Sequence, residues 1–227
     1  MVESKTVLDK IDDVLEDYPD LEPEQFRYIC KRLRNKHDLR VQQRSQEYPE
    51  YLEPSEVKEF YQAARELNQE DHTDKYLLVA RLGINTGLRV SEMTALDVRD
   101  VKDEENNLHV VEGKGSKDRT TFIDDNTINL IRSYTDHRTS GPVFKVTKRS
   151  IQNWVKRIRE RFNDRTGLDK DITPHTLRHT FATMQRYKGM DIEELKVLMG
   201  HSSVKTTEIY GRMQLNPEMR EKYEKTV

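Results

Sequence analysis

The stretch from Thr173 to Tyr210, TPHTLRHTFATMQRYKGMDIEELKVLMGHSSVKTTEIY, constrains the fold more than any other. Thr173 suits a helix N-cap, and Pro174 suits the first helical position, where its missing N–H leaves no bond unmade. Leu177, Phe181 and Met184 then recur at core spacing. His175 and Arg178 lie three residues apart, so both can face one side of this helix, beside a terminus whose free N–H groups favour anions. Ile192, Leu195, Leu198 and Met199 outline a second helix ending at Gly200, a natural C-cap that lets the chain turn His201 toward a cleft. Ser202 or Ser203 restarts a helix on which Tyr210 sits. Two imidazoles and a guanidinium can gather around one phosphate, with a phenol standing where it could attack. Arg89, in NTGLRVSEM, adds a basic corner far upstream.

HxLRH, MGHSS and TTxIY together resemble the signature of tyrosine recombinases, the family of phage and archaeal integrases and Xer-type resolving enzymes. TGLRVSEM and GKGSKDR are similar to two further landmarks, and all five segments occur in the family's order. The resemblance covers roughly residues 51–211. It implies a mainly α fold with a small antiparallel β-sheet, the tyrosine recombinase catalytic fold, preceded by a short helical N-terminal segment. Residues 1–49 are then either a reduced DNA-binding module with a linker or a solvated helical face, and residues 50–227 form the catalytic domain with a C-terminal tail.

The resemblance also assigns roles. Tyr210 would attack a backbone phosphate, leaving a 3′-phosphotyrosyl link and a free 5′-hydroxyl. A phenol with a pKa of about 10 needs a positioned proton acceptor at neutral pH, and His175 is the preferred base. Arg89 and Arg178 would hold the nonbridging oxygens with fixed forks. His201 would donate to the developing phosphorane, and Lys114 would protonate the departing 5′ oxygen. Glu92 and His179 support this group, Glu92 by orienting its neighbours and His179 by hydrogen bonding from behind. Lys117 and Arg157 are weaker DNA-binding candidates. No cofactor and no metal is required, and neither HExxH nor a multi-cysteine ligand set is present.

The expected function is therefore site-specific DNA recombination of the integrase type. A protein of the same fold that binds DNA or assembles on it with weak or lost chemistry is the alternative. The implied partners are double-stranded DNA, further copies of the chain in a tetrameric synapse, and an accessory protein if the N-terminal region is too small to clamp DNA. The implied location is cytoplasmic or nucleoid-associated, or the host cytoplasm if the chain is virally encoded.

Composition fits this reading unevenly. A net charge of −2 is not the basic footprint usual for nucleic-acid binding. Residues 1–50 carry 9 Lys and Arg against 12 Asp and Glu, which leaves 30 against 29 in the remainder. DNA binding then depends on sorting basic side chains onto one face. The single cysteine, Cys30, excludes an internal disulfide, repeats an apolar helical spacing that predicts burial, and suits an intracellular setting. No run is apolar enough to span a bilayer, and the N-terminus lacks the apolar core of a secretory signal.

Along the chain, two short helices flank Pro19, the second carrying Phe26, Ile29, Cys30 and Leu33 after Pro23. Residues 42–49 read as a linker. Glu53-Pro54 opens a helix with Val57, Phe60, Tyr61, Ala64 and Leu67 on one face, and Tyr76 to Leu82 forms another that Gly87 terminates. Short strands are expected at 97–101, 108–111 and 120–123, the last two joined by the GKGSKD reversal. Further helices are expected at 126–137 and 148–163, with Trp154 in the core and Lys156, Arg157, Arg159 and Arg161 on the opposite face.

Overall fold

The computed structural model describes residues 4–36, 49–111 and 118–200. The chain forms two compact units, Met1–Glu47 and Tyr48–Val227. In the first, α1 (Ser4–Glu16) and α2 (Pro23–Lys36) lie either side of Pro19. Cys30 on α2 is half-buried, not fully enclosed as its spacing predicts.

In the second unit, α3 (Pro54–Asp71) starts where Pro54 fills the first helical position and the Glu56 carboxylate accepts from the Glu53 N–H at 2.7 Å. Its Val57, Phe60, Ala64 and Leu67 are buried. The next helix, α4 (Lys75–Thr86), lies at the centre, in contact with α3, α6 (Asp125–Tyr134), α7 (Lys148–Thr166) and α8 (Pro174–Tyr187). Tyr76, Leu78, Val79, Ala80, Leu82 and Ile84 on α4 are wholly enclosed, so this helix is apolar nearly all round, as a central helix must be. Gly83 permits the close approach of α4 to α8: a Cβ there would lie 2.8 Å from the Leu177 side chain.

Phe60 on α3 meets Phe162 on α7 edge-on at 6.0 Å, and Phe144 sits between Tyr134 and Trp154 at 5.4 and 5.9 Å. Trp154 is thus packed against the core, as its spacing predicts. A smaller apolar cluster of Phe181, Ala182, Leu195, Leu198 and Met199 fastens α9 (Ile192–Met199) to α8.

Among the described residues, the sheet is three-stranded and antiparallel in the order β1 (Val101–Lys102), β2 (Asn107–Val110), β3 (Arg119–Phe122). Leu108 pairs with Thr121, and Val110 with Arg119. The architecture is the mainly helical fold with a small antiparallel sheet that the sequence predicts.

Two expectations change in detail. Residues 98–100 form a 3-10 turn where a strand was expected from 97, because the Asp97 side chain accepts from the Arg99 N–H while the Asp97 N–H donates to the Asp100 carboxylate. The helix expected to reach His137 stops at Tyr134, since Asp136 and His137 both take left-handed backbone angles. Among the described residues, no helix is long and apolar enough to cross a membrane.

Candidate active site

The site grows from the end of α4. Gly87 caps that helix with φ +67°, and a Cβ there would lie 2.4 Å from the Phe181 ring, so both conformation and space exclude a side chain. The chain then turns through Leu88, which is buried, and presents Arg89 at the start of α5 (Val90–Ala95). Met93 and Leu96 are buried beneath, with Val90 and Val98 packed against the core.

Glu92 is the pivot of the site. Its Oε2 accepts from the Arg89 backbone N–H at 2.7 Å, and its Oε1 accepts from Arg89 Nη1 at 2.7 Å. Arg119, on β3, donates from Nη1 to Oε1 and from Nη2 to Oε2, both at 2.8 Å. Arg178 Nη1, on α8, stands 3.8 Å from Oε2. Burial alone would raise the Glu92 carboxyl; the hydrogen bonds and charge of Arg119, then the Arg89 N–H and the Arg178 charge, outweigh it and hold the group down at about 2.

The three guanidiniums also grip the C-terminal end of α9. Arg119 Nε donates to the Leu198 carbonyl at 3.0 Å, Arg178 Nη2 to the Met199 carbonyl, and Arg89 Nη2 to the Gly200 carbonyl at 3.0 Å. These are three successive carbonyls at the negative end of a helix, where cations are favoured. Gly200 takes φ +62°, the left-handed cap its place in the sequence predicts, immediately before His201. A second Arg178 bond, from Nη1 to the Gly87 carbonyl, joins α8 to the α4 cap. Arg178 is 5% exposed, whereas the Arg89 side chain keeps about a third of its surface.

Thr173 caps α8, its side chain accepting from the Thr176 N–H, and Pro174 opens the helix. His175 is exposed on the first turn and lines a cavity of about 590 Å³ together with Arg89 and Arg178. The opposite wall comes from α7, through Lys148, Arg149, Gln152, Asn153, Lys156 and Arg159. His179, one turn after His175, is partly enclosed; burial, then the charges of His175 and Arg178, push its imidazole down to about 4, so it is neutral at pH 7.

The structure thus brings Arg89, Glu92, His175 and Arg178 together, with His179 behind them. Arg157 is not on the cavity wall: it donates to Asp71 at 2.8 Å and to the Tyr76 hydroxyl. Arg161 and Arg165 likewise turn to Glu59, Glu66 and Glu70 on α3. The basic face of α7 is therefore divided between α3 and the cavity. Lys114, Lys117, His201 and Tyr210 lie outside the described residues. Among the described residues, no His, Cys, Asp and Glu cluster suited to a metal ion occurs.

Arg119 is the residue that sequence reasoning passed over. A signal for it existed: Arg119 and Thr121 on β3, and Ile123 just after it, alternate as buried positions, so a charged residue stands where the two-residue alternation calls for an inward side chain. An inward arginine needs a buried anion, and Glu92 is the one that receives it.

Residues 50–216 match the model of the phage integrase family. The chain is 36% identical over 143 residues to the tyrosine recombinase XerA of Pyrococcus furiosus, covering 60% of this chain and 49% of that protein. It is 36% identical over 151 residues to XerC of Chlamydia muridarum, covering 63% and 47%. The chain spans about half the length of the curated relatives it matches. Among solved structures, a crystal structure of XerA recombinase superposes with a TM-score of 0.63 at 29% identity, over 78% of this chain and 65% of that one.

Proposed function

Because the chain belongs to the phage integrase family, we propose that it cuts and rejoins double-stranded DNA at specific sites through a 3′-phosphotyrosyl intermediate. The observation that carries this reading is the placement of Arg89, Arg178 and His175 on one open cavity, with both guanidiniums held from behind by the Glu92 carboxylate and the α9 carbonyls. Such donors are already oriented before an anion arrives, so little reorganisation accompanies charge development on the phosphate.

In this mechanism the Tyr210 Oη attacks the phosphorus in line. His175 takes its proton, Arg89 and Arg178 hold the nonbridging oxygens, His201 donates to the phosphorane, and Lys114 gives a proton to the departing 5′ oxygen. The phosphotyrosyl ester conserves the reactivity of the phosphodiester, so a different 5′-hydroxyl can reseal it without ATP. Exchange between two duplexes within a tetramer on DNA then gives recombination, in the cytoplasm or nucleoid where the DNA lies. The cavity wall from α7 supplies Lys148, Arg149 and Lys156 to the flanking phosphates.

The test is covalent capture. The protein is incubated with a pool of nicked duplexes of randomised sequence, so that a cleaved strand loses its short 5′-hydroxyl fragment and cannot be resealed. Denatured protein–DNA adducts are then isolated and sequenced. Adducts should form with the parent chain and vanish in Tyr210→Phe. Arg89→Ala and Arg178→Ala should lower adduct formation by about 100-fold or more while weakening duplex binding far less, because phosphate charge grows toward the transition state. Retention of adducts in Tyr210→Phe would defeat the assignment of the nucleophile.

The net charge of −2 favours a second reading, a DNA-binding or assembly protein with weak or lost chemistry. Duplex binding with no adduct across the whole pool would select it.

A further inference from the structure

We infer that Arg119 is a positioning residue that sets the charge of the phosphate site: it occupies the Glu92 carboxylate so that Arg89 and Arg178 remain electrostatically available to the reacting phosphate. This inference rests on the phosphoryl-transfer reading above and adds to it a residue that never meets DNA.

The geometry rules out direct contact. Arg119 is 7% exposed, and Nε, Nη1 and Nη2 each donate within the protein, to the Leu198 carbonyl and to the two oxygens of Glu92. A buried arginine paired with a buried glutamate is a poor stabilising device, since desolvation of both ions offsets much of their attraction. Something other than stability is the better account of its presence here, and charge supplies one. Arg89, Arg119 and Arg178 all face the Glu92 carboxylate, and Arg119 adds there the unit of positive charge that offsets it. A phosphodiester brings one negative charge, and attack by a phenolate makes a phosphorane carrying two. Loss of Arg119 therefore takes one positive charge from beside the phosphate, where the transition state adds a negative one.

Position supports the same role. Arg119 reaches Glu92 on α5 and Leu198 at the end of α9, and it stands five residues after Lys114 at the base of the β2–β3 connection. One side chain is thereby tied to the segment that carries Arg89 and to the end of the helix that precedes His201. Without its fork, the Glu92 carboxylate would lean on Arg89, at 2.7 Å, and on Arg178, at 3.8 Å, drawing both toward the protein and away from the cavity.

The experiment compares Arg119→Met, Arg119→Lys and the double variant Glu92→Gln/Arg119→Met, each checked for cooperative thermal unfolding. Binding of tungstate, a divalent oxyanion, is measured by titration calorimetry, and adduct formation is timed with a duplex recovered from the randomised pool. Arg119→Met should weaken tungstate binding by about 10-fold and slow adduct formation by about 100-fold, as expected for one unit charge several ångströms from the anion. The double variant removes the carboxylate together with its partner, which returns the net charge at the pivot to that of the parent, and should recover about 10-fold in both. Arg119→Lys keeps the charge and should hold tungstate within about 3-fold of the parent.

A double variant no better than Arg119→Met would overturn the inference, because removing the carboxylate would then have failed to make good the missing positive charge, while the unfolding midpoints report separately on relief of the unpaired buried Glu92. A tungstate loss of about 10-fold in Arg119→Lys relative to the parent would overturn it as well, and this readout does not need the methionine variant to fold. Failure of the parent chain to form adducts would count against the recombinase reading alone, while the tungstate series would still decide the role of Arg119.

Discussion

The guanidinium of Arg178 donates to the carbonyl oxygen of Gly87, a residue 91 positions earlier in the chain. That bond joins the helix carrying His175 to the turn presenting Arg89, and its acceptor belongs to the one residue type that the turn permits. The catalytic candidates are thus held together through backbone atoms that no side-chain motif records.

Gly87 should consequently be costly to change. Gly87→Ala combines a left-handed backbone with a Cβ 2.4 Å from Phe181, whereas Gly167→Ala has φ +70° and no heavy atom within 4 Å of the added Cβ. Urea unfolding should give a loss of about 1 kcal/mol for Gly167→Ala, from backbone strain alone, and about 3 kcal/mol for Gly87→Ala, where overpacking adds to it. Equal losses would mean that the Phe181 ring yields freely.

Glu92 should make stability fall in acid. Its pKa lies below the ordinary carboxylate value of 4.5, at about 2. The stabilisation is therefore complete above pH 4.5 and is lost as the pH falls through 2. A shift of this size corresponds to about 3 kcal/mol as an order of magnitude. The stability advantage of the parent over Glu92→Gln, followed by thermal unfolding, should shrink across that window. A constant difference from pH 6 to pH 2 would show that the carboxylate charge contributes nothing.

His179 acts in a higher window. Its imidazole titrates at about 4 against 6.5 when exposed, so the unfolded chain takes up the proton first. Stability is unaffected above pH 6.5 and declines between 6.5 and 4, the opposite of a histidine that gains an acidic partner. The His179 ring proton should shift near pH 4 in an NMR titration, and His179→Gln should flatten the decline. A midpoint near 6.5 would mean that the ring is solvated.

The division of α7 is testable by salt. Lys156 lines the cavity, while Arg157 is paired with Asp71 and Tyr76. With a short random-sequence duplex, Lys156→Ala should reduce the slope of log affinity against log salt by about 1, the loss of one phosphate contact. Arg157→Ala should leave the slope unchanged. The reverse result would restore Arg157 as the phosphate ligand and reassign the faces of the helix.

Local order was legible in the residues themselves. Thr173 and Pro174 start α8, Gly87 and Gly200 end α4 and α9, and apolar spacing marks the core faces, because caps, left-handed turns and helical periodicity depend on neighbours a few positions away. The same short range explains the two errors of extent: the Asp97 side chain and the left-handed pair Asp136 and His137 redirected the backbone where periodicity alone continued it.

Tertiary structure alone decided where the charges went. Arg119 and Glu92 are 27 positions apart, Arg178 and Gly87 are 91, and Arg157 finds Asp71 86 positions earlier. Each arginine on α7 or β3 is equally basic in the sequence; burial and the nearest available carboxylate or carbonyl determine which one holds the protein together and which one is left facing the cavity. A guanidinium's partner is fixed by distance in space, and the order of residues does not specify that distance until the chain has folded.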